Sequence, residues 1–429
     1  MEIQIKVNTV FGRVAVILAG LLIAILLSLP AGSNLIAGVL SDARVDVRPD
    51  LIAAGIKYVP NSAAVSARLV EAQMTEGDRD LTATDVLARR TVNLSPWDYR
   101  NRLLLATVKE AAGDRAAAEA ALQEALSLAP NYTDVHWRFA NLLLREGKLA
   151  KAVPEFRIAA SSSPNLLPAT LDLLWRVSGG NLAVAQAVTP KDAKARLVLA
   201  QFLLNQSRAS DAITVFAGID RGSLVGLPES SAFIDALIKA GNLGEARGLW
   251  IGLVSGEYAQ PGRPLPAVWN GGFETEISKS LGQFDWMISR NEYAVPAIDQ
   301  TTSHTGSRSL RIDFAGRDTT KLDGQIKQTI SVRPGAHYVL ECYTKTERLE
   351  SPEGPRIVVA DIASATEVAA SSPLATGSTD WRRIALEFTA PAAARAVVIT
   401  IKRVPKYSYD DPTRGTIWFD DFVLTEQLK

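Results

Sequence analysis

Prolines recur at positions 60, 96, 130 and 164, at intervals of 36, 34 and 34 residues. A fixed period of this length constrains the fold more than any other feature of the chain. Each repeat must be one supersecondary unit that cannot bury its apolar face alone, so neighbours have to stack. In residues 131–164, NYTDVHWRFANLLLREGKLAKAVPEFRIAASSSP, the spacing predicts two helices. Phe139, Ala140 and Leu143 mark the buried face of the first, and Ala152, Phe156 and Ala159 that of the second. Gly147 lets the backbone reverse between them, and Pro164 stops the second helix. Residues 97–130 repeat the scheme with Leu105, Ala106, Gly113, Ala118, Leu122, Ala125 and Pro130. The small alanines allow two helices to approach, and the large residues fill the space that remains.

This pattern resembles the tetratricopeptide repeat family, closely in 97–164 and more loosely from 61 to about 258. The resemblance implies an α-solenoid over residues 50–260, with about five or six helix pairs and a concave groove lined by the first helix of each pair. By repeat position the groove receives Arg100, Leu103, Thr107 and Glu110 from one unit, and Asp134, Trp137, Asn141 and Leu144 from the next. Arg100, Trp137 and Asn141 are the candidates for contact with a protein partner, although a tryptophan at helical spacing is more often core. Members of the family that clamp a C-terminal carboxylate use several lysines, arginines and asparagines. Here only Arg100 and Asn141 are of that kind, and Asp134 would repel a carboxylate, so that form of clamp is not expected.

The N-terminus supplies the topology. Residues 14–41, VAVILAGLLIAILLSLPAGSNLIAGVLS, contain no charged side chain, and roughly 20 apolar residues suffice to span a bilayer. Lys6 and Arg13 precede the run, which assigns residues 1–13 to the cytoplasm and the bulk of the chain to the far side of a bacterial-type inner membrane. A cleaved signal peptide, with Ala31 and Ser33 as the small-residue pair, is the alternative. Both readings export the body of the protein, to the periplasm or beyond. Net charge is zero, with 46 basic and 46 acidic residues, so no electrostatic case for nucleic acid arises. The single cysteine, Cys342, excludes an intrachain disulfide and a cysteine-based zinc site.

At 261–269, PGRPLPAVW, prolines mark a linker. Beyond it the period changes from helical to alternating. SLRIDF, HYVLECYTKT, RIVVADI, WRRIALEFTA, AVVITIKRV and TIWFDDFVL are short β-rich runs divided by Gly, Pro, Asp and Ser. Such punctuation predicts an antiparallel β-sandwich over 270–429. The full expectation is a multidomain α + β chain: membrane helix, α-solenoid and C-terminal sandwich.

The order NGGFE, a following Trp286, GSRSLRI, QTISVRPG, TDWRRIALEF and TIWFDDFVL resembles carbohydrate-binding modules of the galactose-binding-like jelly-roll class. In many such modules a structural calcium ion joins the first and last strands. Carried over, Glu274 and Asp420 are its carboxylates, with backbone oxygens near Gly271 and Thr305–Ser307 completing the six to eight oxygens calcium takes. Asp420 is preferred on the premise that Trp418 and Leu424 share the inward face, with Asp421 as the alternative. Glycan recognition requires exposed aromatic faces, for which Trp286, Tyr407 and Tyr409 are the candidates; Trp381 and Trp418 read as core.

Catalytic patterns are missing from the sequence. His136, His304 and His337 share no metal-ligand spacing, and neither a P-loop nor a GxSxG elbow occurs. The sequence therefore points to a non-catalytic binding or scaffold protein, an accessory to cell-envelope or exopolysaccharide assembly. A purely structural scaffold with a sugar-blind jelly roll is the first alternative, and a degenerate glycoside hydrolase the second.

Overall fold

The computed structural model describes residues 14, 17–19, 21, 32–42, 44, 45, 47–75, 80–255, 265–278, 280–316, 321–405 and 411–427. The expected cytoplasmic stub, most of the apolar stretch before residue 32, residues 261–264 of the linker and both Tyr407 and Tyr409 lie outside them. Among the described residues, no helix is long and apolar enough to cross a membrane. Two compact units divide the chain, Met1–Pro190 and Lys191–Lys429.

The first unit is helical. After a helical stretch over 32–41 come α1 (Pro49–Gly55), α2 (Ala63–Thr75), α3 (Leu81–Leu94), α4 (Tyr99–Ala111), α5 (Arg115–Leu128), α6 (Thr133–Arg145), α7 (Leu149–Ser162), α8 (Leu167–Val177) and α9 (Leu182–Val188). Local chemistry sets the helix starts. Asp80, Asp98 and Asp114 accept backbone N–H groups at the heads of α3, α4 and α5, satisfying donors that a helix leaves unpaired. The pairs α4/α5 and α6/α7 close as the period demands. Ala118, Ala125, Ala152 and Ala159 are completely buried, and Phe139 and Phe156 fill the space they leave. Gly147 sits at φ +75° after α6, where the Lys148 N–H bonds the Leu143 carbonyl. Beyond Pro164 the repeat loses its regularity: a 3-10 turn opens α8, and α9 is short.

The second unit combines the last helices with the sandwich. Helices α10 (Ala193–Asn205), α11 (Ala209–Ala217), α12 (Arg221–Leu224), α13 (Pro228–Lys239) and α14 (Leu243–Val254) precede ten strands among the described residues. Compactness therefore divides the chain well before the proline-rich 261–269 stretch. The reason is Trp250 on α14, fully buried and edge-on to Trp269 and Phe284, with its indole N–H donated to the Leu281 carbonyl. The helices of this region also pack on one another, with Phe216 of α11 stacked on Phe233 of α13.

The sandwich consists of two five-stranded antiparallel sheets. One has the order β1-β4-β9-β6-β7, with β1 (Met287–Ile288), β4 (Ile326–Ser331), β6 (Arg356–Asp361), β7 (Glu367–Ala370) and β9 (Ala396–Lys402). The other has the order β2-β3-β10-β5-β8, with β2 (Ala294–Asp299), β3 (Ser309–Ala315), β5 (His337–Glu350), β8 (Gly377–Thr389) and β10 (Arg414–Gln427). Alternation packs Leu310, Ile312, Leu340, Cys342, Ile357, Val359, Ile399 and Phe419 into one core between the sheets. Burial pushes the Cys342 thiol well up, consistent with a small core residue rather than a reactive one.

Strand β10 corrects the premise used to choose between the two aspartates. A bulge between Asp420 and Val423, with Asp421 at φ +51°, inserts one residue and reverses the alternation. The core side is Ile417 and Phe419 before the bulge, then Phe422 and Leu424 after it. Trp418 and Leu424 thus belong to opposite faces. Trp418 is buried away from the inter-sheet core, and its indole N–H reaches Asp299 Oδ2 at 2.8 Å.

Candidate functional site

In the helical unit, α4, α5 and α6 enclose a cavity of about 370 Å³. Its floor is Leu103 and Leu122, both buried, and one wall is Trp137, half-buried and edge-on to Phe156 with ring centroids 5.3 Å apart. Thr107 and Glu110 face Arg138, Asn141 and Arg145 across it. Arg145 forms a two-point pair with Glu110, Nε–Oε1 2.6 Å and Nη2–Oε2 3.0 Å. Arg138 is held by both oxygens of Asp134 at 3.1 and 3.2 Å. Asn141 donates to the Trp137 carbonyl one turn back.

The expected groove positions Leu103, Thr107, Glu110, Trp137 and Asn141 therefore meet around one cavity. Arg100 does not line it: its side chain is exposed, beside Asp98 and over the ring of Tyr99. Arg138 and Arg145 went unremarked in the sequence. The spacing 137, 141, 145 places Arg145 on the same helix face, so that signal was available. Both arginines are neutralised by acids at hand, which leaves a groove of mixed charge in place of a basic clamp.

In the sandwich, the residues of NGGFE meet the bulge of β10. Gly271 O accepts the Phe422 N–H at 2.9 Å. Glu274 Oε1 accepts the N–H groups of Ser307 and Arg308 at 2.8 and 2.9 Å, and Oε2 accepts the Ser307 hydroxyl. Those bonds outweigh desolvation and hold the Glu274 carboxyl below its ordinary range. Asp420 Oδ2 accepts the N–H groups of His304 and Thr305 at 2.7 and 3.3 Å, and Oδ1 accepts that of Asp421. Burial dominates at this second carboxyl and pushes it up to about 6, against the pull of the His304 N–H.

Glu274 and Asp420 thus clasp one loop, 303–308, directly through its N–H groups. Calcium requires six to eight oxygens. Here the loop directs N–H groups at both carboxylates, and the Gly271 carbonyl already accepts one hydrogen bond, from Phe422. An N–H presents the positive end of its dipole, the wrong end for a cation. Among the described residues no group of three or more His, Cys, Asp or Glu side chains could hold a metal ion. The donor set does not fit calcium.

The aromatic candidates separate cleanly. Trp286 is 1% exposed, packed against Phe273 and Phe422 with its indole N–H donated to the Asn270 carbonyl; a ring with both faces covered cannot stack on a sugar, so it is core. The sequence reading missed a different group. On the side of the second sheet away from the core, His304 stacks on Tyr343 with centroids 3.6 Å apart, and Trp381 lies edge-on to His304 at 5.6 Å. Trp381, expected in the core, is half-buried in this group. Lys345 beside it pairs with Asp380 at 3.2 Å, and Arg383 with Glu341. Tyr343, Lys345 and Arg383 share one face by strand alternation, a signal the sequence did contain; the arrival of His304 from a loop had none.

A tetratricopeptide repeat family model matches residues 109–165, the stretch from the end of α4 through α7. No curated protein matches the chain. Among solved structures, a family 4 carbohydrate-binding module is 18% identical over 37% of this chain and 99% of its own, with a TM-score of 0.29. The MamA protein is 14% identical over 48% of this chain and 94% of its own, with a TM-score of 0.29. The Yersinia enterocolitica type III secretion chaperone SycD, in complex with a peptide of the translocator YopD, is 21% identical over 29% of this chain and 88% of its own, with a TM-score of 0.24. These are partial likenesses, and the functional reading stands on the residues themselves.

Proposed function

We propose that the chain is a non-catalytic scaffold that holds a protein partner in the repeat groove and a glycan on the sandwich. The N-terminal apolar run fixes both to a bacterial-type inner membrane, with the bulk of the chain on the exported side. The observation that carries this reading is the groove: an apolar floor, an accessible Trp137 and a rim of paired charges within one cavity of about 370 Å³. Aromatic and arginine side chains in such pockets carry most of the energy of protein recognition. Because Arg145 pairs with Glu110 and Arg138 with Asp134, the groove suits a segment of mixed charge over an acidic tail.

The glycan reading draws support from the His304–Tyr343–Trp381 group, whose rings and flanking ion pairs offer sugar C–H stacking and hydrogen bonds together. Joining the two activities at one membrane is the role of an accessory factor in envelope or exopolysaccharide assembly. One observation favours the sugar-blind alternative: Lys345 and Arg383 are already paired with acids.

A photo-crosslinker at Asn141 in the full chain, in cells, tests the groove. It is expected to trap one envelope protein, and Trp137→Ala with Arg145→Glu to abolish the product. A product insensitive to those changes would remove the groove from the reading. Glycan-array binding by the full chain, lost in Tyr343→Ala and Trp381→Ala, tests the sandwich; no binding by folded protein leaves the sugar-blind scaffold.

A further inference from the structure

Among the described residues, three of the four sheet edges in the sandwich are short or blocked. Strand β1 has two residues and β7 four, while β2 carries Pro296. Strand β8 is the exception. It closes the second sheet with 13 residues, and its register on β5 runs without a bulge from Arg382 to Thr389. A long, regular edge is a template for another strand. The backbone phase is set just past the strand's end, where the Ala390 N–H bonds the Ala336 carbonyl and the Ala390 carbonyl accepts the Gly335 N–H. Stepping back by twos turns the N–H and C=O groups of Phe388, Leu386 and Ile384 toward β5, and those of Glu387, Ala385 and Arg383 toward the open side. The Trp381 N–H, next in that outward set, is capped by Asp380 Oδ1 at 2.9 Å. Arg383, Ala385 and Glu387 are exposed, and Ile384 and Leu386, on the core side, are only half-buried.

We propose that this edge pairs antiparallel with the same edge of a second copy, with Ala385 on the two-fold axis, so that two sandwiches share one continuous sheet. The charges select the occupant. Edge charges ordinarily keep another strand away, but Arg383 and Glu387 are of opposite sign and stand two residues either side of Ala385. Pairing about Ala385 sets Arg383 of each copy opposite Glu387 of the other, on the face away from the core. Centring on Arg383 or on Glu387 would set like charges face to face, which is destabilising. In the Ala385 register Ile384 of each copy meets Leu386 of the other on the core side, and both are covered. The pairs 385/385 and 383/387 fall on the outward backbone groups, so each exchanges two N–H···O bonds. Within one chain Arg383 already pairs with Glu341, and Glu387 lies 3.9 Å from His337 Nε2. The contact therefore extends a row of alternating charge from one β5 to the other. An isologous pair of this kind closes at two copies. The inference rests on neither the groove nor the glycan reading.

The test uses the full chain in an excess of detergent micelles. Cys342 is buried, so a single cysteine added at an exposed site is the one that reacts. Across a hydrogen-bonded antiparallel pair the Cα atoms stand about 5.5 Å apart, within the roughly 4.4–6.8 Å that a disulfide spans. Under mild oxidation Ala385→Cys is expected to link two chains about tenfold faster than Ser161→Cys, an exposed position on α7. Adding Glu387→Arg to Ala385→Cys sets like charges opposite at both pairs and should slow the linkage about fivefold. Ala385→Pro deletes an N–H that faces away from β5, a change an edge strand tolerates. Its melting temperature should stay near the parent's, while sedimentation shows one chain where the parent shows two. If that variant melts early, the Glu387→Arg comparison decides alone. Equal linkage of Ala385→Cys and Ser161→Cys, a rate untouched by Glu387→Arg, or a parent chain of single mass at every concentration would each overturn the proposal.

Discussion

The imidazole of His304 lies face to face on the ring of Tyr343, 3.6 Å between centroids and 13° between planes, while its Nδ1 is 2.6 Å from Asp421 Oδ2. One loop residue thereby ties β5 to the bulge of β10, and its own backbone N–H bonds Asp420. Replacing the ring removes a stacked pair and a hydrogen bond to a charged group, interactions of about 1 kcal/mol and about 1.5–3 kcal/mol respectively. We expect His304→Ala to destabilise the second unit by roughly 2 kcal/mol in urea denaturation. His304→Phe keeps the stack and should recover part of that loss. If Phe behaves as Ala does, stacking contributes nothing.

The buried Asp420 makes a signed pH prediction. Its carboxyl titrates at about 6 in the folded chain, chiefly because burial penalises the charge, against about 3.9 when unfolded. Between those values the folded state binds more protons, so this group's contribution is largest near pH 4 and falls as the pH rises to 6. Above 6 it is constant. Discounted for its polar surroundings, the loss is on the order of 1–2 kcal/mol. The difference in urea midpoint between the parent protein and Asp420→Asn, followed from pH 4 to pH 6.5, should trend in that direction. A flat difference would show that burial does not control this carboxyl.

Chelation separates the N–H clasp from a calcium clasp. Binding of an ion to the folded state raises stability by mass action. With N–H groups already filling Glu274 and Asp420, millimolar calcium and excess chelator should give melting temperatures within about 1 °C of each other. A calcium-dependent rise of several degrees, about 1–2 kcal/mol for a domain of this size, would restore the metal.

How far the sequence reveals this molecule depends on the range of the interaction. Proline spacing and the alanine pattern found the helix pairs because these depend on neighbours 3–4 residues apart. Six β-rich runs became strands because alternation is equally local. Strand β2 escaped notice: Pro296 interrupts it, and such a strand is tolerated only at a sheet edge, where it lies. The bulge at Asp421 reversed a face assignment that strict alternation had made. Trp286 looked available because nothing local reports that Phe273 and Phe422 close over it. Glu274 and Asp420 meet the same loop, yet whether that loop offers carbonyls or N–H groups is a matter of backbone direction, which residue types do not encode.

Arg403 and Asp411 form an ion pair with both side chains wholly buried, and Arg403 also donates to the Glu353 carbonyl and Ser351. Removing one partner breaks a wholly buried ion pair, a change that costs up to about 3–5 kcal/mol. Arg403→Met and Asp411→Leu should each lose stability on that scale. The double variant should recover most of the loss, because apolar groups of similar volume replace a buried pair at little net cost. Additive losses would mean that the two residues act independently.

The NGGFE motif yields the sharpest contrast. Asn270 and Phe273 both have positive φ, +49° and +59°, and the chain turns between them to bring Gly271 onto the backbone of Phe422. A Cβ on Gly271 would overlap the Phe422 carbonyl oxygen, a backbone atom that cannot rotate away. On Gly272 the same Cβ would lie 3.4 Å from Asp421 Oδ1 and 3.6 Å from Asp420 Oδ1, ordinary contact with side chains. Gly271→Ala must therefore separate the turn from the β10 bulge and expose the Phe273–Trp286–Phe422 cluster beneath it. We expect a loss of about 2–4 kcal/mol, in the range of overpacking that shifts backbone. Gly272→Ala should cost less than about 1 kcal/mol, since its surroundings can accept a methyl group. Thermal or urea unfolding of the two variants side by side decides it: equal losses would mean that close approach to Phe422 is not what this position requires, whereas a wide gap assigns the first glycine to the strand contact and frees the second from it.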